Sequence, residues 1–407
     1  MVISFGIYAK GANMASNPAK KDEYTDLDKE IDIEAFKDSI QAYFSGIPDP
    51  RKGHNLTYKL GDIFFIILAA VLAGANSLNQ IAIFSQAKGD WIKHLIKIDS
   101  IPSYGIFWWM LVRIKPDFLR DLLKTWLETL SGGLRNQVLA IDGKCLRGTQ
   151  GNGTLNPTLH LVSLFAVERG LILAQQPVEN KSNEITAIPK ILEQIDPQGA
   201  VITIDAMGCQ RDIAKKICDG GADYVLALKG NSGHIHDEVI HYFKEAEEAG
   251  YEYLEHTTFT GKESGHGRIV QRTVRCVQDI EWLPQARDWE KLKGLVEVVS
   301  MRTEKGKTTT ERRYYITSLD ANGERLARVI QDHWGIENHL HRQLDVNFAE
   351  DASPVNTGHA AENLATFRRL ALNMLGSGKG LLERRKKAAW DEKYLTDVIR
   401  KFFIKFF

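Results

Sequence analysis

The chain reads as an α/β protein, a mixed sheet flanked by helices, with a helical domain ahead of it and a β-rich insertion late in it. Three observations predict this class. Residues from about Leu27 to Leu130 carry helical periodicity with few strand signals. After Ser131–Gly133 short β-rich runs alternate with amphipathic helical segments, and strand-like segments return from about Glu252 to Ser318.

The bulk numbers set bounds on this reading. At 407 residues, with 43% hydrophobic and 26% charged residues and 11 prolines, the chain is long enough for a large core and is neither a small stapled scaffold nor a disordered chain. Lysines plus arginines equal aspartates plus glutamates at 52 each, so the overall charge does not point to nucleic acid. The distribution does, weakly: from Ala360 to Phe407 there are 11 basic against 5 acidic residues, a basic end able to meet a polyanion, although such runs are more often a solvated face. Cys145, Cys209, Cys218 and Cys276 show no metal-site or redox spacing, which suggests reduced thiols and a cytoplasmic protein. The first twenty or so residues carry no secretory pattern and read as a loose tail.

In the helical domain, the apolar run Ile63–Ala75 is thirteen residues, short of the ~20 needed to span a bilayer, and so predicts a buried helix. Phe107, Trp108 and Trp109 read as core rather than as a platform for stacking bases. After the Ser-Gly-Gly linker, VLAID ends at Asp142; HLVSLFAV and LILAQQPV form a hairpin around Glu168–Gly170; ITAIPKILEQI is an amphipathic helix; AVITID ends at Asp205; RDIAKKICDG is helical; and YVLAL ends just before Lys229. The order β-ββ-α-β-α-β follows. The insertion consists of HGRIVQRTVRCV, LVEVVSMRTE and TTERRYYITSL, the last two around a charged turn at Lys305–Lys307. Gly323–Leu344 is helical, Asp345–Pro354 is a break, and Ala360–Leu375 is helical again. The expected divisions are a tail at 1–26, a helical domain at 27–130, an α/β domain at 134–376 with its insertion at about 252–318, and a basic helical tail at 377–407.

Asp142 and Asp205 each close an apolar strand and precede a glycine-containing turn. One such aspartate is most simply a solvated turn former. Two side by side repel each other unless a cation lies between them. Carboxylate oxygens favour Mg²⁺ or Mn²⁺ over zinc, and paired ions can clamp the attacking and leaving oxygens of a phosphoryl displacement. A third carboxylate on a later helix would complete the set. In HWGIENHLHRQLDV, from His333 to Val346, a regular helix places Ile330, Trp334, Glu337, His341 and Leu344 near one face. Glu337 then sits in or beside a buried stripe and needs a partner or a metal. His333, Glu337 and His341 also share the i, i+4, i+8 spacing of a zinc site, but the HExxH order is absent. Histidines bonded within a core or facing phosphates are the plainer alternative.

The motifs VLAIDGKCLRG, NEITAIPKILEQ, VITIDAMGCQRDIAKKICDGGADYVLALKGN and HWGIENHLHRQLDVNFAEDAS together resemble the H-repeat-associated family of bacterial insertion-sequence transposases, a DDE branch with a ribonuclease-H-like core. The segment IPDPRKGHNLTYKLGDIFFIILAAVLAGANSLNQIAIF resembles the helical domain that accompanies it. The likeness runs from about Phe36 to Gly376. It implies a ribonuclease-H-like fold and an acidic triad at Asp142, Asp205 and Glu337 that both holds metal and carries catalysis, with a β-rich insertion before the Glu-bearing helix. It further implies two Mg²⁺ (or Mn²⁺) ions, cleavage at the element's terminal inverted repeats followed by strand transfer into target DNA, and a homo-oligomer on DNA in the cytoplasm or nucleoid, with no membrane partner. Where the family usually reads LHW after IEN, this chain has Leu340, His341 and Arg342. Lys144, Arg147, Lys229, Arg312, Arg313, His333 and His341 are the candidate DNA contacts, with Lys305, Lys307 and the basic C-terminal stretch behind them. The competing readings are a ribonuclease-H-like nuclease that cuts without joining and an inactive, domesticated DNA-binding protein.

Overall fold

The computed structural model describes residues 32–52, 56–128, 133–150, 158–178, 184–265 and 267–403; the expected tail at 1–26 lies outside them. Six helices come first: α1 (Ile33–Phe44), α2 (Leu60–Leu72), α3 (Leu78–Ala87), α4 (Gly89–Ile96), α5 (Tyr104–Arg113) and α6 (Pro116–Glu128). Asp32 caps α1 by accepting from the Ala35 N–H, satisfying a donor that the first turn leaves free. Ile63 to Leu72 of α2 are all fully buried, as a helix that is apolar on every side requires. Phe107 is buried too, whereas Trp108 reaches the surface at 37% exposure, so the tryptophan pair is only partly core.

The α/β region is built on one sheet. Its strands are β1 (Val138–Leu146), β2 (Leu159–Ala166), β3 (Leu171–Pro177), β4 (Val201–Ile204), β5 (Asp223–Leu228), β6 (His256–Gly265), β7 (Arg268–Val277), β8 (Gly294–Glu304) and β9 (Lys307–Thr317). Between them lie α7 (Glu184–Leu192), α8 (Arg211–Asp219) and α9 (His234–Glu248). The sheet order is β3-β2-β1-β4-β5-β9-β8-β7-β6, with β1–β3 antiparallel and β1, β4 and β5 parallel. The five-strand half, 3-2-1-4-5, is the expected ribonuclease-H-like sheet.

The structure extends one expectation and changes another. The β-rich insertion joins the central sheet: β9 pairs antiparallel with β5, Leu226 opposite Ile316, which lengthens that sheet to nine strands. Asp142 does not end its strand. β1 continues to Leu146 because β2 pairs with it over that length, whereas the pairing of β1 with β4 stops at Ile141 opposite Ile204. Asp142 and Asp205 are therefore the next residues beyond the last parallel pair.

After β9 come α10 (Gly323–Gly335), a π-helical turn (Ile336–His341), α11 (Arg342–Phe348), α12 (Ala360–Leu375), α13 (Leu381–Trp390) and α14 (Glu392–Phe403). Asn322 caps α10 through the Arg325 N–H. The last two helices are not a solvated basic tail. Leu395, Ile399, Phe402 and Phe403 are buried, with Phe402 stacked on Trp126 of α6. Arg385 lies inside as well, its Nη2 donating to the Val71 carbonyl at 2.7 Å and its guanidinium 4.0 Å from the Phe348 ring centroid. It thus ties the end of α2 to the end of α11, and one continuous hydrophobic core joins the N-terminal helices, the sheet and the C-terminal helices.

Candidate active site

Asp142, Asp205 and Glu337 come from three elements and line one cavity of about 510 Å³, together with Lys229, Arg312, Arg313, His333 and Trp334. Adjacent strand register brings the two aspartates together. Asp205 is held by its own turn, its Oδ1 accepting from the Met207 N–H at 3.0 Å, and the turn is pinned by Asn231, which donates to the Ala206 carbonyl at 2.8 Å.

Glu337 reaches the cavity by a route the sequence does not anticipate. The regular helix expected over Gly323–Leu344 contains a π turn at Ile336–His341. One extra residue in the turn keeps Ile336, Leu340 and Leu344 buried while Glu337 faces outward as an exposed residue, not as part of a buried stripe. Such π turns recur at functional sites because they re-aim a side chain without ending the helix.

The electrostatics separate the two aspartates. Burial disfavours charge on Asp142, but the contact with His341, Nε2 3.3 Å from Oδ2, together with the nearby His333 and the Gly143 N–H, holds its carboxyl below the ordinary value. The His341 contact is an ion-pair approach, not a well-formed hydrogen bond. Asp205 is pushed up, first by burial and then by the charges of Glu184 and Asp142. Crowded carboxylates with hard oxygen donors fit a divalent cation, which would relieve that repulsion. Among the described residues no three His, Cys, Asp or Glu side chains converge closely enough to form a closed cage, so the donors face one cavity without enclosing an ion. His333 belongs to the scaffold: its Nδ1 is 2.9 Å from Thr203 Oγ1 on β4, and burial lowers its pKa. The zinc alternative gains no support from this arrangement.

The candidate DNA contacts divide. Lys229 is exposed at the cavity wall. Arg147 is 86% exposed, 3.7 Å from Asp351. Lys144 is not placed to meet a phosphate: it is 8% exposed and bonded to Asp345 at 2.7 Å and Asp351 at 2.8 Å, which fastens β1 to α11 and the loop after it. His341 is taken up by Asp142. Arg312 lines the cavity but is shared between Glu247 at 2.7 Å and the fully buried Glu297 at 2.6 Å. Arg313 is paired with Glu311 and lies 5.0 Å from the Trp334 ring centroid.

The cavity opens into a groove of about 730 Å³ that shares Glu311, Arg313, Trp334 and Glu337 with it. The groove runs over β7–β9 and adds Arg268, Arg272 and Arg302. Arg272 lies over Trp334 as well, at 4.8 Å, so the indole carries two guanidiniums. None of these three arginines is singled out by composition. The alternation of β7 does contain the signal, since Arg268, Val270, Arg272 and Val274 fall on one face. Arg342, in place of the family tryptophan, is exposed in a separate shallow groove beside Gly378–Glu383.

A family model described as Transposase DDE domain matches residues 133–374, and one described as DDE_Tnp_1-associated matches residues 41–127. The YncI protein of Escherichia coli O157:H7, which bears a transposase name, is 36% identical over 372 residues, covering 89% of this chain and 94% of its own length. The YhhI protein of Escherichia coli strain K12, named as H-repeat-associated and as a transposase, is 33% identical over 370 residues, covering 88% of this chain and 97% of its own. Among solved structures, a piggyBac transposase synaptic complex with hairpin DNA aligns at a TM-score of 0.41 and 11% identity, over 92% of this chain and 78% of that one, too remote to carry an argument. No helix among the described residues is long and apolar enough to cross a membrane.

Proposed function

The chain belongs to the DDE transposase family of insertion sequences, and from that premise we propose that Asp142, Asp205 and Glu337 are its catalytic, metal-holding triad, acting on the ends of its own element. The observation that carries this reading is the shared cavity: three carboxylates distant in sequence line one wall system that continues into an arginine-lined groove. Mg²⁺ or Mn²⁺ suits the donor set, two ions being the number that an in-line phosphoryl displacement uses. When bound, such ions lower the pKa of an attacking water or 3′-hydroxyl and stabilise the leaving oxygen.

The chain's own groups do the positioning. The Asp205 turn and its Asn231 anchor fix one carboxylate, and the His341 contact fixes another. His333 and Thr203 lock the start of the Glu337 turn against β4. Lys229 faces a phosphate in the cavity, and Arg268, Arg272, Arg302 and Arg313 follow the backbone of the flanking duplex, fixing register without reading bases. Cleavage at the terminal inverted repeats is then followed by joining to target DNA, with two copies of the chain pairing the two ends.

The test is cleavage and joining of a duplex carrying the element's terminal repeats, with Mg²⁺. Asp205→Asn should abolish both while leaving metal-free DNA binding within about twofold. Cleavage by that variant at the wild-type rate would remove Asp205 from the triad. Cut but unjoined products from the wild type would identify a nuclease, and a shifted band without chemistry an inactive DNA-binding protein.

A further inference from the structure

The arginine groove over β7–β9 accounts for DNA on one side of the reacting phosphate only. A duplex that crosses the cavity must leave it on the other side as well, and there the chain has a second groove, of about 370 Å³, between α11 and the loop that opens α13. Asn338 lines both grooves. They therefore meet at the residue next to Glu337.

The π turn makes this junction. It leaves Glu337 and Asn338 exposed at consecutive positions, and from there Asn338, Arg342 and Val346 recur at every fourth residue along one exposed helix face. On the other side of the groove the chain turns through Gly378 (φ +96°) and Gly380 (φ +79°), with Lys379 between them. A Cβ built at Gly378 meets nothing within 4 Å, so the loop borders open space. Arg384 fixes the loop by donating to the Gly376 and Lys379 carbonyls, each at 2.9 Å. That cation is structural. Arg342 and Lys379 are exposed in the groove, and Lys386 is exposed three residues past Glu383 on the same face of α13; among the described residues no carboxylate pairs with any of the three. Glu383 is the only acid among the described residues that line the groove.

We propose that this groove holds the duplex that continues past the element end, with Arg342 and Lys379 each meeting a backbone phosphate. Unpaired cations along a groove continuous with the cavity suit a polyanion. This rests on the reading of the Asp142, Asp205 and Glu337 cavity as the seat of the reacting phosphate. The competing occupant is a second copy of the chain, for which the exposed Val346 and Leu382 would supply apolar contacts.

The experiment is metal-free binding of the full-length protein to two labelled duplexes, followed by anisotropy across a salt series. One duplex stops at the end of the terminal repeat; the other runs past it by about two helical turns, roughly 20 base pairs. The wild type should bind the longer duplex more tightly and with a steeper salt dependence. Arg342→Gln combined with Lys379→Gln should lower the slope of log K against log salt on the longer duplex by about 1.8, two contacts at about 0.9 each, and leave binding of the shorter one within about twofold. The shorter duplex thus also reports that the variant is folded. A wild type that gains nothing from the extension, or a variant that keeps the wild-type slope on it, would overturn the proposal. So would an equal loss on both duplexes, which would assign the two cations to the element's own DNA. A variant with unchanged salt slopes and an altered sedimentation coefficient would make the groove a contact between copies and overturn the proposal too. The triad reading fails separately, through wild-type cleavage by Asp205→Asn, and this proposal falls with it.

Discussion

Arg268 offers the sharpest test of the groove as the path of the DNA backbone. It is exposed on β7, lines the groove, and among the described residues no carboxylate pairs with it. Arg272, Arg302 and Arg313 are paired with Glu263, Glu304 and Glu311, so removing one of them also uncovers an acid, whereas Arg268→Gln removes a phosphate contact alone. Each phosphate neutralised on duplex DNA contributes about 0.9 to the slope of log K against log salt. Between 50 and 200 mM salt, a fourfold change, loss of one contact should reduce the fall in affinity by roughly 3.5-fold, since 4 to the power 0.9 is about 3.5. The assay is fluorescence anisotropy of a labelled terminal-repeat duplex without metal, titrated at several salt concentrations. Arg268→Gln should give a shallower line, with the largest deficit in affinity at the low-salt end. A line parallel to the wild type, whatever its offset, would mean that no phosphate is held there and that the groove is not the backbone path.

Two further outcomes test the frame around the site. Glu350 and Arg369 form a fully buried ion pair at 2.8 Å beside α11, and Glu350→Ala strands a buried guanidinium, so urea unfolding should show a loss of about 3–5 kcal/mol; a change under about 1 kcal/mol would contradict that burial. Asp332 is raised to about 6, by burial first and the Glu168 charge second, against the pull of Arg328. Between its unfolded value near 3.8 and about 6 the folded chain binds the extra proton, so this carboxyl favours folding at low pH and its contribution is lost as pH rises through 6. Asp332→Asn should therefore stabilise the protein at pH 7 by about 1 kcal/mol, the full shift being discounted because the group is partly exposed, and leave stability at pH 4 nearly unchanged. A variant equally stable or less stable at pH 7 would refute the sign.

The parts of the fold that the sequence makes legible are those whose signal is local. The apolar strands before Asp142 and Asp205, the hairpin around Glu168–Gly170 and the strands β7 to β9 all lie where alternation and turn residues put them. β6 escapes notice because nearly all of its residues are exposed, so an edge strand of this kind carries no buried face for a pattern to reveal. α9 also goes unmarked in the sequence, although Ile235, Val239 and Phe243 recur at helical spacing and are its buried residues. The π turn is invisible for a different reason: a single added residue in a helix leaves composition and periodicity almost intact while changing which side chain faces the cavity.

Charges show the limit most clearly. A sequence displays a cation but not the counter-charge that meets it, and in this chain the counter-charges are remote: Lys144 is neutralised by Asp345 and Asp351, two hundred residues on, and Arg385 spends its donors on carbonyls of α2 and α11. Both belong to segments that local charge marks as DNA-facing, yet both are interior. Arg268 stands in an unremarkable stretch and faces outward, with no acid paired to it among the described residues. The difference between a structural cation and a phosphate-binding one is therefore set by long-range packing.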